Sequence, residues 1–396
     1  MYRIILFLIL GIDASILFYQ ISTLSISSHE VSILYGEFSF LQLILKISLS
    51  IFENKDIGLR IPMILLHISS ILLLYNLSRK YLNNKRNRLW LVLVFTLLPG
   101  IVSSALIVDS AGLIIFGLFL FLNIYEYFEK KYSYIILSIL SILDGGFIYL
   151  FLSLSFFSYY IKDKFFLLFN IILFIISFFI YGIKTNGTPE GYFLDTLGLY
   201  SAVLSPIIFI YIFYVLYKKY FSKELDLIWF ISTIPFIFSL LISFRQKISI
   251  EEFAPYIIVA LVIGSQTFYS SYRVRLNLFR YKYKIIFRIS FLFLILNFLI
   301  VMFNREIYMF IENPKKNFAY KMHIAKELAE KLKDMNINCV RTNNTMAKRL
   351  KFYEIQSCSN NILKENKIGK FKNSNVTISY RSRIIYSGLV TKSDIK

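Results

Sequence analysis

The sequence predicts an all-α polytopic membrane protein with about 11 transmembrane helices, followed by a small C-terminal α/β domain. Three observations predict it. First, 57% of the 396 residues are hydrophobic and only 17% are charged, with a mean hydropathy of +0.62. Too few charged side chains remain to cover that apolar surface in an ordinary soluble enzyme. Second, apolar runs of about 17 to 25 residues recur between short charged clusters. Third, the runs stop at residue 303, and a polar tail begins that mixes helical and strand periods.

The first run, MYRIILFLILGIDASILFYQI, has no small-residue cleavage site and is long enough to span, so it reads as a retained helix. Spans are predicted over 4–21, 59–78, 89–107, 110–127, 133–143, 147–161, 165–183, 202–217, 226–243, 253–270 and 285–303. The pair 133–143 and 147–161 would be one long run but for Asp144-Gly145-Gly146. Gly-Gly destabilises a helix interior and an Asp at mid-membrane is costly, so a hairpin of two short helices fits better.

Charge then orients the chain. With the N-terminus inside, the cytoplasmic loops 79–88, 128–132, 162–164, 218–223 and 272–284 hold 17 Lys and Arg. The opposite short loops hold six: Lys46, Lys55, Arg60, Lys184, Arg245 and Lys247. That bias satisfies the positive-inside rule. It also accounts for the net charge of +20 without a nucleic-acid surface, because the basic residues sit in orientation loops that meet anionic headgroups. The expected organisation is a transmembrane domain over 1–303, with a long first external loop at 22–58, and a soluble extracytoplasmic domain over 304–396. The tail starts with an amphipathic helical pattern at 317–336. A strand-like INCV, a short helical RLKFYEI and the alternating VTISYRSRIIYSGLV follow,. Cys339 and Cys358 are free to pair in an oxidising compartment, although sequence does not fix their distance.

In this arrangement Glu30, Glu37 and Asp109 fall on the external side. Three carboxylates from different loops at one membrane surface suit a general base with a metal or sugar-hydroxyl site. They equally suit plain solvation of loop ends. Asp13, His67 and Arg288 lie inside predicted helices, where ionisable groups usually face the bundle and pair.

The phrases HEVSILYG, EFSFLQLIL, DIGLRIPMILLHISSILLLYNLSRKY and FTLLPGIVSSALIVDSAGLIIFGLFLFL resemble the polyprenyl-phosphate-sugar-dependent glycosyltransferases of the GT-C superfold. The nearest group in pattern contains the dolichyl-phosphate-mannose–protein mannosyltransferases and the aminoarabinose–lipid A transferases. SILDGGFIYLFLSLSF, ISFRQKISIEEFAPYIIVALVIG and RLKFYEI continue the resemblance in order along the chain. It departs at the Asp-Glu pair, where His29 stands in the first position and leaves Glu30 as the only carboxylate. It departs again at Asp144, which stands near an expected Lys, and in lacking prolines after Glu37.

The resemblance implies a GT-C-like fold and a bacterial inner-membrane glycosyltransferase with a cytoplasmic N-terminus and a periplasmic tail. Its donor would be a polyprenyl-phosphate-linked sugar, and its acceptor lipid A, another glycolipid, a glycan or a protein. Glu30 or His29 would activate the acceptor, an imidazole with its ordinary pKa near 6.5 being suitable. Glu37 and Asp109 would position the donor phosphate through a divalent metal, His29 completing an acceptable mixed ligand set. The external cations Arg245, Lys247, Arg60 and Lys184 would meet the donor phosphate by charge-assisted hydrogen bonds. Two other readings stay open, a non-catalytic relative and a membrane transporter of a lipid-linked or envelope substrate. Against a transporter, the chain shows no internal repeat with paired broken helices.

Overall fold

A computed structural model of the chain describes residues 1–53, 55–182, 191–366 and 375–392. The chain forms two compact units. One comprises Met1–Leu17, Ser39–Ile44 and Arg60–Phe298, the other Phe18–Phe38, Leu45–Leu59 and Leu299–Lys396.

Helices dominate up to residue 302. They are α1 (Tyr2–Thr23), α2 (Ser28–Leu34), α3 (Phe40–Ile51), α4 (Lys55–Tyr81), α5 (Lys85–Thr96), α6 (Pro99–Leu106), α7 (Ser110–Tyr127) and α8 (Lys130–Leu143). Then come α9 (Ile148–Tyr160), α10 (Lys164–Tyr181), α11 (Phe193–Leu204), α12 (Pro206–Phe221), α13 (Leu227–Ser243), α14 (Ile250–Val259), α15 (Leu261–Val274) and α16 (Asn277–Met302). Each predicted span falls on one of these helices or on a consecutive pair.

Among the described residues, six spans are long and apolar enough to cross a membrane singly: α1, α4, α7, α10, the run Ile250–Val274, and α16 from Phe279. Two bent pairs raise the number to as many as eight: α5 with α6, turned by 62°, and α11 with α12, turned by 105°. This is fewer than eleven, because the stretches 133–143, 147–161 and 226–243 lie on α8, α9 and α13. Those helices have 14, 13 and 17 residues, a reach of roughly 20–26 Å against a hydrocarbon core of ~30 Å.

Proline explains both bends. Pro99 and Pro206 each open the second helix of a pair, where a missing N–H and a fixed φ are harmless, and each pushes the preceding residue out of helical conformation. Leu98 accordingly sits at φ −65°, ψ 130°, whereas Ser205 takes the left-handed φ of 71°, which the proline alone does not require; α11, which sequence periodicity missed, precedes it.

The expected break at Asp144-Gly145-Gly146 is present, and the chain reverses there, with both α8 and α9 packed on α10. Lys130 at the start of α8 lies 3.5 Å from Asp163 at the start of α10, and the Ser177 hydroxyl on α10 donates to Ser141 O at the end of α8. Thus α8 runs parallel to α10, whereas α9 leads directly into α10 and runs back along it. Asp144 accepts from the Gly146 amide at 2.8 Å in the turn between α8 and α9. A Cβ on Gly146 would come within 2.3 Å of Ile114 on α7, so the turn packs closely on that helix. Deeper in this unit, His67 Nε2 and Asp13 Oδ2 pair at 2.7 Å with both residues buried, as expected of ionisable groups inside a bundle. Arg288 differs: it is exposed on the outer face of α16.

In the second unit, α17 (Ala325–Asp334) and α18 (Asn344–Phe352) pack beside an antiparallel sheet of β1 (Asn361–Glu365), β2 (Val376–Tyr380) and β3 (Arg383–Lys392), in the order β1-β3-β2. The alternating 376–390 stretch becomes the β2–β3 hairpin, with Tyr380 opposite Arg383. Leu328, Leu332, Leu350, Leu363, Ile378 and Tyr386 form its core. Regular helix covers only part of the predicted 317–336 pattern, because 3-10 turns occupy Pro314–Lys316 and Tyr320–Met322. Asn336 at φ 57° ends α17 in the left-handed conformation that asparagine tolerates,.

His323, buried against Tyr308 (Nδ1 to the hydroxyl, 2.9 Å), titrates at about 3, because burial and then the nearby Arg305 disfavour its charged form. The unfolded chain would take up that proton near pH 6.5. Stability is therefore unaffected above pH 6.5 and falls as pH drops from 6.5 towards 3, by about 1.4 kcal/mol per pH unit. Thermal unfolding of this unit in detergent, compared between pH 6.5 and 4.5, should show the loss in the wild type and a smaller one in His323→Gln. Equal slopes would exclude this histidine as the cause.

Candidate functional site

In the second unit, the stretch that holds His29 and Glu30 is a short helix with a reciprocal cap. Ser27 N donates to Glu30 Oε2 at 2.7 Å, and Glu30 N donates to the Ser27 hydroxyl at 3.2 Å. This is the S-x-x-E capping box, which satisfies two amides at the start of α2. Glu30 is completely buried. His29 is exposed beside it, and Glu37 is exposed in the turn between α2 and α3.

The phrase RLKFYEI (349–355) grips the chain just ahead of that helix. Arg349 Nε donates to Ile26 O at 2.8 Å, and its other nitrogens reach the Lys321 carbonyl and the Ser25 hydroxyl. Burial lowers the Arg349 pKa from 12.5 to about 10, opposed by Tyr353 and the Glu30 carboxylate, so it stays charged at neutral pH. The Tyr353 hydroxyl accepts from Ile26 N at 3.0 Å and donates to Asp56 Oδ1 at 2.6 Å. Asp56 in turn pairs with Lys326 at 3.0 Å. Lys326 also donates to Ser22 O, and Ser25 N donates to Met322 O at 2.7 Å. Residues 22–34 are thus laced to the tail by backbone and buried polar groups together.

The first unit carries its own polar end. Asp109 is the N-cap of α7 and accepts from Ala111 N at 3.0 Å. Asp144 caps the turn that packs on α7. The Tyr256 hydroxyl on α14 donates to Gly146 O at 2.6 Å, which brings the start of α14 to the same place, and Tyr149 meets Glu252 at 3.4 Å. Arg245 and Lys247 lie exposed in the turn that leads into α14. Asp109, Asp144, Glu252, Arg245 and Lys247 therefore share one end of this unit. Arg60 is completely buried in the second turn of α4 rather than standing at the surface. Lys184 lies outside the described residues.

Sequence reasoning passed over Arg349, Tyr353 and Asp56 as individuals, and likewise Tyr149, Tyr256 and Glu252. The only signal in the sequence is that they lie within phrases that carry the resemblance, RLKFYEI and ISFRQKISIEEFAPYIIVALVIG among them. Among the described residues, no group of three or more His, Cys, Asp or Glu is placed to hold a metal ion. No protein-family model matches the chain, and no curated protein or solved structure matches it.

Proposed function

We propose that the protein is an integral-membrane glycosyltransferase. It moves a sugar from a polyprenyl-phosphate donor to an extracytoplasmic acceptor: lipid A, another glycolipid, a glycan or a protein. The observation that carries this reading is that RLKFYEI and the segment leading into HEVSILYG, two phrases that carry the resemblance, fold against each other through Arg349 and Tyr353. In this reading the eleven-span topology holds, with the short α8, α9 and α13 inserted among longer neighbours, the N-terminus cytoplasmic and the tail periplasmic. The Cys339–Cys358 bond supports an oxidising compartment for the tail.

The reaction is a single displacement. The acceptor hydroxyl gives its proton to a base, its oxygen bonds to the anomeric carbon, and the bond from that carbon to the phosphate oxygen breaks, which inverts the anomer. The polyprenyl phosphate leaves with the bonding pair. His29, exposed at the start of α2, is the base this reading favours, and the buried Glu30 holds the turn on which it stands. The resemblance assigns the donor phosphate to Arg245 and Lys247, which are exposed at the polar end of the helical unit.

The test is complementation of a deletion strain, with envelope glycans and lipid A read by mass spectrometry. Loss of one hexose-, pentose- or aminosugar-sized increment, restored by the wild type, supports a transferase; an unchanged profile in the deletion overturns it. Glu30→Gln keeps an acceptor for the Ser27 amide, so it should retain most activity if Glu30 is a cap, and His29→Gln should abolish it. Loss with Glu30→Gln and retention with His29→Gln would transfer the base to Glu30. Glu37→Gln and Asp109→Asn complete the series.

A further inference from the structure

A groove opens within the helical unit between α5, α12, α15 and α16, with a cavity volume of ≈ 170 Å³. Its walls are apolar and aromatic, with Trp90, Tyr211, Phe268, Tyr269, Tyr283 and Phe287 among them. Along α16 the lining runs from Tyr283 to Leu294, roughly 16 Å at 1.5 Å per residue. That is about half of a hydrocarbon core of ~30 Å, the depth of one leaflet. Most of the apolar length of α16 is not buried by the rest of the protein, so little protein holds this wall in place.

One end of the groove is strongly basic. Arg86 stands one turn before Trp90 on α5, close enough to Tyr269 to interact with it electrostatically. Arg273 stands one turn beyond Tyr269 on α15. Arg275 covers the Tyr283 ring at 4.4 Å, and Arg280 and Lys284 lie 5.7 and 6.0 Å from the Tyr272 ring. The Arg280 guanidinium donates to the Arg273 and Arg275 carbonyls at 3.0 and 2.8 Å, which draws these arginines together. The stretches 79–96 and 260–302 that build this end contain no Asp or Glu. Glu126, Asp163 and Asp226, at the corresponding ends of other helices, pair with Lys80, Lys130 and Lys219 instead.

We propose that this groove is a site for one anionic glycerophospholipid. An acyl chain lies along Trp90, Phe268 and Phe287, and the phosphate headgroup meets Arg86, Arg273, Arg280 and Lys284. A bilayer is as apolar as the groove, so the chain gains packing but no transfer energy, and selectivity must come from the headgroup. The inference does not rest on the transferase reading.

Trp90 and Trp229 are the only tryptophans, so Trp229→Phe leaves the groove residue as the sole reporter. The full chain carrying that change is reconstituted in phosphatidylcholine vesicles doped with brominated-acyl phosphatidylglycerol or brominated-acyl phosphatidylcholine. The expected result is half-maximal Trp90 quenching at a several-fold lower mole fraction of the brominated phosphatidylglycerol. The triple change Arg86→Gln, Arg273→Gln and Lys284→Gln, all exposed positions, should abolish that preference. Ser290→Leu, which narrows the groove and leaves the cations in place, should weaken quenching by the anionic lipid. Equal quenching by the two lipids, or a preference that survives the triple change, overturns the proposal. So does stronger relief of quenching by unbrominated polyprenyl phosphate than by unbrominated phosphatidylglycerol, which would assign the groove to a prenyl chain.

Discussion

Arg349→Met is expected to destabilise the unit formed by the first loop and the tail by about 3–5 kcal/mol, the range for breaking a buried charged network by removing one partner. Arg349 is 5% exposed, and its guanidinium serves the carbonyls of Ile26 and Lys321 and the hydroxyl of Ser25. Methionine fills much of the volume but donates nothing, so those acceptors lose their partner in a dry environment. The Glu30 carboxylate also loses a compensating charge. Residues 22–34 should loosen from the tail, and a protease added to the reconstituted protein should cut there at least tenfold faster. Arg349→Lys should recover only part, since one ammonium cannot reproduce a planar fork with several directed donors. A wild-type cleavage pattern and melting temperature in Arg349→Met would refute the clamp.

The second large effect is expected from the disulfide. Cys339 and Cys358 are bonded across a separation of 19 residues with their Cα atoms 5.5 Å apart. They tie the segment before α18 to the segment after it, where Val340 N also bonds to Gln356 O. Chain-entropy arguments give about 3 kcal/mol for closing a loop of that size. The double change Cys339→Ser and Cys358→Ser should remove this stabilisation without leaving a free thiol. Wild type treated with reductant should melt at the same lowered temperature as the double variant. Indifference of the melting temperature to reductant would mean the bond adds nothing to the fold.

Much of the architecture was legible. Hydropathy located most of the apolar helical stretches, because a run of apolar residues stays apolar whatever packs on it, but it passed over α3 and α11, which are shorter and broken by polar residues. The break at Asp144-Gly145-Gly146 was legible for the same local reason, as was the alternation that became β2 and β3. Span length was less so: 226–243 and the hairpin helices are apolar enough but short, and a window average does not report where a helix ends. The bends at Pro99 and Ser205–Pro206 carried a visible signal in the prolines, but their angles follow from the helices packed beside them.

The candidate site was legible only as phrases. Ser27 and Glu30 form an S-x-x-E pattern, and that spacing does announce a capping box, yet a carboxylate in a polar loop reads equally well as a base. Nothing local distinguishes the two readings. The distinction lies in burial, which depends on Tyr353, Arg349 and Asp56, about 300 residues apart at the extremes.

By itself, then, the sequence determined the chemical class of each segment: apolar helices, basic clusters between them, a polar α/β tail, and two cysteines within reach of one another in chain length. Those properties come from interactions between near neighbours and from the transfer of side chains between water and an apolar phase, both of which composition encodes. Tertiary structure alone decided that the first loop belongs with the tail, that Arg60 and Glu30 are buried while His29 is exposed, and that the basic 272–284 turn closes an aromatic groove. Each depends on side chains far apart in the chain meeting at hydrogen-bond or van der Waals distance, which no local pattern specifies.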